Sequence, residues 1–313
     1  MGTFSLVSMM REDNDTVERF VNYYRSQGVE KIYIYFDGSI GHLNIMSGDD
    51  VEIVECNQEF WQPIFGGRPA DISKAQEFVY RQSLSRCKSD WLLITDADEY
   101  IFGDRKIPQI LDVIPENLDV FVIQSAEAIW GPGDLIDRAF GSHYFRTAIS
   151  NKLLWHTIGF LIYGKNYKLF NSGILSHALG KHFIRSNREY EWIGNHNSKR
   201  GGRNIGRWAH SISPDLKNMF VGHFDAICFN RWRDKWHLRL TGETNIVKMG
   251  YRRRQQMEMI KNAANQGQNA EFELFKKFYC LNNFQYFLLK LFGKSFRRDI
   301  FDTRTESLPA GKS

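Results

Sequence analysis

Two periodicities divide the chain. Apolar runs recur at 3–10, 31–36, 51–56, 91–95 and 120–123, rich in Val, Ile, Leu and aromatic residues. Runs this short and this continuous predict strands buried on both faces. Between the first two, Val17, Phe20, Val21 and Tyr24 stand at the i, i+3, i+4, i+7 spacing of one helix face. Asp13 and Asn14 offer N-cap oxygens there, and Gly28 a stop. Asp71 to Cys87 reads as a second helix leading into Trp91. Strand–helix–strand alternation predicts an α/β fold with a mostly parallel central sheet and right-handed crossovers. Residues 152–185 are expected as strands and turns, clearest at Tyr167–Phe170 and Lys181–Arg185. Alternation in the latter puts Lys181, Phe183 and Arg185 on one side. Further on, Val221–Phe224 is a short apolar element, Phe229–Leu240 a basic helix, and 244–265 and 272–298 further helical stretches. The segment 303–313 is expected as a disordered tail.

Charge adds an asymmetry that the net value of +5 hides: residues 181–313 carry 25 Lys and Arg against 12 Asp and Glu, and residues 1–180 carry 16 against 24. A basic second half implies an anionic partner. It contains no recognisable RNA or DNA module, so nucleic acid is not the expected partner. Cys56, Cys87, Cys228 and Cys280 are far apart, with no Cys-X-X-Cys pair. This argues against a zinc ribbon or disulfide framework and implies a reducing, cytoplasmic compartment. No signal peptide is visible, and no window approaches the roughly 18 apolar residues that span a bilayer. Aromatic residues and lysines interleave over 272–298. A helix of that composition can lie on an anionic membrane, so peripheral contact with the inner membrane face through the C-terminal basic helices is expected.

The candidate chemistry centres on Asp96-Ala97-Asp98-Glu99, at the end of the most hydrophobic strand. An isolated Asp-X-Asp is usually an acidic surface turn. Here it closes a central strand, where open α/β sheets bind ligands. Asp96 and Asp98 can face the same way, and two adjacent carboxylates stay ionised at little cost only beside a cation. Oxygen ligands in that setting suit Mg²⁺ or Mn²⁺ shared with a substrate phosphate. Glu99 should point the other way and support the site from behind. Asp37, also at a strand end, can accept from a ribose or base. The Gly- and Asp-rich loop 130–138 offers Asp134 and Asp137, with Glu127 just before it, as carboxylates for proton transfer. His223 could complete a metal site. No Gly-X-Gly-X-X-Gly follows the first strand, and no P-loop sequence is present.

Taken in order, Met10-Arg11-Glu12, Gly28 to Tyr35, Asp37, Trp91 to Tyr100, Trp130 to Gly133, Lys181 to Arg185 and Gly222-His223-Phe224 resemble bacterial glycosyltransferases of the family 2-like group and the related family 92-type enzymes. The resemblance covers roughly residues 4–240. It implies a GT-A fold: a nucleotide-binding half at 1–125 and an acceptor half at 126–240, followed by a basic helical extension at 241–302. It also implies an inverting, metal-dependent transferase using a nucleotide-sugar donor, most often a UDP-sugar, and a glycan or lipid-linked acceptor of surface polysaccharide synthesis. Carried over, Asp96, Asp98 and His223 hold the metal, and Asp96, Glu12 and Asp37 contact the nucleotide sugar. Lys181 and Arg185 stabilise the diphosphate, and Asp134, then Asp137, is the catalytic base. Two other readings compete. A haloacid-dehalogenase-like phosphatase also carries Asp-X-Asp after a strand, but normally after its first strand. The other is a non-catalytic protein that binds anionic surfaces.

Overall fold

The computed structural model describes residues 2–45, 47–241 and 250–301. The expected tail at 303–313 lies outside them, as does the start of the helix expected from 244. In chain order, β1 (Phe4–Met10) leads to α1 (Asn14–Ser26), β2 (Lys31–Phe36) and β3 (Val51–Glu55). The helices α2 (Gln58–Phe65) and α3 (Ile72–Arg86) then precede β4 (Trp91–Ile94) and β5 (Glu99–Phe102). Next come α4 (Ile107–Leu111), β6 (Val120–Ile123), β7 (Ser125–Ile129), β8 (Tyr144–Thr147), α5 (Lys152–Tyr163) and β9 (Lys181–Arg185). A small ribbon follows, with β10 (Trp192–Ile193), β11 (Ser198–Arg200) and β12 (Arg203–Ile205). The remaining elements are β13 (Arg207–Trp208), α6 (Ala209–Ile212), β14 (Phe220–His223), α7 (Phe229–Leu240), α8 (Tyr251–Gln266), α9 (Gln268–Tyr279), α10 (Asn283–Leu291) and β15 (Ser295–Arg297).

The main sheet has the order β13-β6-β9-β4-β1-β2-β3. Strands β3, β2, β1 and β4 run parallel, and β9 is antiparallel to both β4 and β6. Its alternate residues enter two cores. Phe4, Leu6, Ile32, Ile34 and Leu93 meet α1 on one face. Val7, Tyr33, Tyr35, Leu92 and Ile94 meet Trp61 of α2 and Val79 of α3 on the other. Burial on both faces is why these strands read as continuous apolar runs. The helix ends follow their caps: Asp13 accepts from the Thr16 N–H at 2.9 Å and Asp71 from Ser73 at 3.0 Å.

A second sheet, β15-β8-β7-β14-β5, stands behind the acidic turn. Its β14 pairs antiparallel with β5, setting His223 opposite Glu99. A third core lies beyond it, around Trp130, Trp155, Trp232, Trp236 and Phe275.

Two expectations are corrected here. Residues 152–169 are not strands but α5 and a 3₁₀ turn over Gly164–Leu169. Asn151 caps α5 by accepting from Leu154 N, and Trp155, Ile158, Gly159 and Ile162 form its buried stripe. The stretch 272–298 is not one helix: α9 ends at Tyr279, Asn282 caps α10, and β15 follows. Most of the aromatic residues of α9 point into the third core. Strands β9 and β13 complete the main sheet, and α8, α9 and β15 build the third core and second sheet.

Candidate functional site

A cavity of about 1050 Å³ opens where β1 and β4 end. Its lining includes Glu12 after β1, Asp96 to Glu99 after β4, His223 and Asp225 at the end of β14, Lys235 and Arg239 on α7, and Arg253 on α8. The cavity thus gathers carboxylates and cations from five separate stretches of chain.

The acidic turn is held from behind by a buried lysine. Lys181, 0% exposed, places its Nζ 2.6 Å from Asp96 Oδ2 and 2.9 Å from Glu99 Oε2. Asn195 adds a donor to the same Asp96 oxygen at 3.0 Å, and its own Oδ1 accepts from Lys181. Glu99 Oε2 also accepts the Asp96 backbone N–H at 2.9 Å. Burial opposes ionisation of Asp96, but Lys181, Asn195 and His196 together hold this carboxyl well below the usual range. Burial raises Glu99. Burial lowers Lys181 less than Asp96 and Glu99 raise it, so the ammonium stays charged. Gly180 permits this entry: it sits at φ +68, and a Cβ there would lie 2.0 Å from the Ile123 carbonyl oxygen.

Asp98 is placed differently. Its Oδ2 lies 3.7 Å from His223 Nε2 and 3.6 Å from Lys235 Nζ. Burial opposes its charge, yet His223 and Lys235 lower its pKa. Burial likewise opposes protonation of His223, but Asp98 pushes it up to about 9. Beside them, Asp225 is shared by Lys235, Arg253 and the Tyr279 hydroxyl. Arg239 and Arg253 lie over the Trp236 ring at 4.8 and 4.7 Å. Arg239 Nη1 is buried with no hydrogen-bond partner among the described residues. Glu12 is pushed up to about 7, mainly by burial and then by Asp98. His177 is lowered by burial and then by Arg253.

Not every expected residue arrives here. Arg185 is at the far end of β9: because that strand runs antiparallel, it pairs with Trp91, where β4 begins. Its guanidinium lies 4.2 Å from the Trp91 ring centroid and donates to the Leu118 carbonyl. Asp134 is away from the cavity, where it accepts from the Gly131 and His143 backbone N–H groups and bonds the His143 ring. Asp137 does not line the cavity either. Asp37 closes β2 as expected but is paired bidentately with Arg68, at 2.8 and 2.5 Å. Glu127 is buried against Arg146 and accepts from the Leu175 and Ser176 N–H groups. The residues missed from sequence are Asn195, His177, Asp225, Lys235, Arg239 and Arg253. Only Asp225 carried a local signal, standing two residues after His223 and so on the same side of an extended chain.

Asp98 and His223 together present a carboxylate and an imidazole to one side of the cavity. Among the described residues, no group of three His, Cys, Asp or Glu side chains is arranged to hold an ion. A divalent ion there would have two protein ligands at most, would have to displace the His223 proton, and would need phosphate and water oxygens for its remaining positions. Asp96 fits less well, since its Oδ2 is committed to Lys181 and Asn195.

No family model and no curated protein matches the chain. Among solved structures, one described as "Crystal Structure of a Mycobacterial Protein" is similar at 14% identity and a TM-score of 0.31. The similarity covers 59% of this chain and 54% of that one, so the chain spans about half the length of the structure it matches.

Proposed function

We propose that this protein transfers a sugar from a nucleotide-sugar donor, a UDP-sugar in the first instance, to a glycan or lipid-linked acceptor. The reading has the donor bound with Mn²⁺ or Mg²⁺ and displaced with inversion. The observation that carries it is the convergence of Asp98 and His223 with Lys235, Arg239 and Arg253 in one cavity at the carboxyl edge of parallel strands. A nucleoside diphosphate needs both halves of that set. The finer reading of the fold as GT-A-type draws support from the order β3-β2-β1-β4, the antiparallel β9 and the histidine delivered by the second sheet.

When bound, the divalent ion would offset the charge of the diphosphate as the sugar leaves. Asp98 and His223 would hold it. Lys181 fixes the turn so that Asp96 and Asp98 keep their separate directions. Lys235 and Arg253 present positive charge where the leaving group becomes more negative. Arg239, which also lines the cavity, adds a third cation there. Glu12 and His177 replace Asp134 and Asp137 as candidates for the base. Both line the cavity, and Glu12, raised to about 7, has a proton affinity near neutral pH, where a base works best.

The test is thermal denaturation with UDP or GDP and Mn²⁺, followed by donor hydrolysis and transfer assays. At about 100 times Kd, binding should stabilise the chain by about 2.7 kcal/mol, and Asp98→Ala should remove the metal-dependent part. Full hydrolysis and transfer by the Asp96→Ala, Asp98→Ala double variant would refute the reading. Phosphate-ester hydrolysis without nucleotide binding would favour the phosphatase, and anion binding with neither activity the non-catalytic protein.

A further inference from the structure

We propose that the face shared by α5 and α10 docks on an anionic lipid bilayer. In α10, Phe284, Phe287 and Leu291 are 61%, 61% and 66% exposed. They stand at i, i+3 and i+7 and form one stripe, while Leu289 faces inward at 2%. In α5, Leu153, Phe160 and Leu161 are 79%, 56% and 58% exposed, opposite the buried Trp155, Ile158 and Ile162. The two helices pack on each other, and Gln285 at the start of α10 donates to the Ile162 carbonyl at 2.7 Å. A helix that buries one face in a core and leaves a second apolar stripe in water needs a further apolar phase.

Charge identifies that phase. The sequence has no acidic residue between Asp137 and Glu189, nor between Glu273 and Asp299, so both helices come from stretches bearing only cations. Lys152, Lys165 and Lys290 are exposed beside the apolar stripes. Lysines near an anionic surface add electrostatic attraction, while Phe and Leu insert at the headgroup–acyl boundary. A second copy of the chain fits less well. Self-complementary pairing of this face would bring the exposed lysines of two copies towards each other. Of the stretch 272–298 expected to reach the membrane, only α10 takes part, and α5, outside that stretch, joins it. The contact does not depend on the activity proposed above.

The experiment is flotation of the full chain with vesicles of phosphatidylcholine, alone or mixed with phosphatidylglycerol. Wild-type protein should float with the anionic vesicles only, and less so as salt rises. A triple variant, Phe284→Ser, Phe287→Ser and Leu291→Ser, should weaken recovery by roughly tenfold or more. A second variant, Lys152→Gln, Lys165→Gln and Lys290→Gln, should do the same, and both should keep the wild-type circular dichroism and melting temperature. The proposal is overturned if wild-type protein stays with the soluble fraction, or if both variants float as it does. It is overturned equally if light scattering finds a dimer that the serine variant dissolves and no vesicle binding occurs.

Discussion

Replacing Lys181 by Met tests the account of the acidic turn directly. The lysine is wholly buried and its ammonium serves Asp96, Glu99 and Asn195 at 2.6, 2.9 and 2.5 Å. Methionine fills much the same volume but leaves two neighbouring buried carboxylates without a cation. Removing one partner of a buried ion pair costs about 3–5 kcal/mol. For a chain of this size that lowers the melting temperature on the order of 10 °C. The loss should depend on pH. In the wild type, Asp96 is depressed below its ordinary 3.8, so its stabilising contribution is present above pH 3.8 and is lost on acidification through the folded value. Lys181 is raised above 10.5, so its contribution is present below pH 10.5. In the variant both carboxyls favour their protonated forms. The gap between the two proteins should be widest from about pH 5 to pH 9 and should shrink below about pH 4. Urea denaturation across that range measures it. A difference under about 1 kcal/mol, or one that stays flat with pH, refutes the clamp.

Two further outcomes follow from the same geometry. Glu12 is raised from 4.5 to about 7, so wild-type stability should fall as pH climbs through that interval. Glu12→Gln should abolish the slope and gain about 2 kcal/mol at pH 8 while cutting transfer by a hundredfold or more, as pH-dependent melting and a transfer assay would read. Asp134→Ala should cost about 1–3 kcal/mol by stranding the Gly131 and His143 N–H groups, yet leave nucleotide binding within a few-fold of wild type by calorimetry.

The strands and first helices were legible because burial on two faces and capping leave local signatures. Val17 to Tyr24 and the Asp13 and Asp71 caps are set by neighbours within a few residues. Helix α5 was not legible. Its exposed Leu153, Phe160 and Leu161 fill the polar side of the pattern, and Gly159 in mid-helix, usually a breaker, makes room for the Trp155 ring. Arg185 shows a different limit. Alternation put it on the face of Lys181 correctly, but the direction of β9 decides which edge of the sheet it reaches, and no local pattern encodes direction. Asp134 read as catalytic because it lies in a Gly-rich loop, though that loop consumes its carboxylate internally. Lys235 and Arg253 reach the cavity through packing of α7 and α8 against the third core, a tertiary relation with no trace in their spacing.

The interleaving of β9 into the main sheet bears on how the chain is made. Strand β4 pairs with β9, about 90 residues later, and β5 with β14, about 120 residues later. During synthesis the edge of β4 therefore has no partner until Lys181–Arg185 leaves the ribosome, and the cavity cannot close until His223 follows. Pairings of such sequence separation slow folding and leave an apolar strand edge open to other chains. Fragments ending near residue 125 should accumulate as aggregates, while chains extending past β14 become soluble.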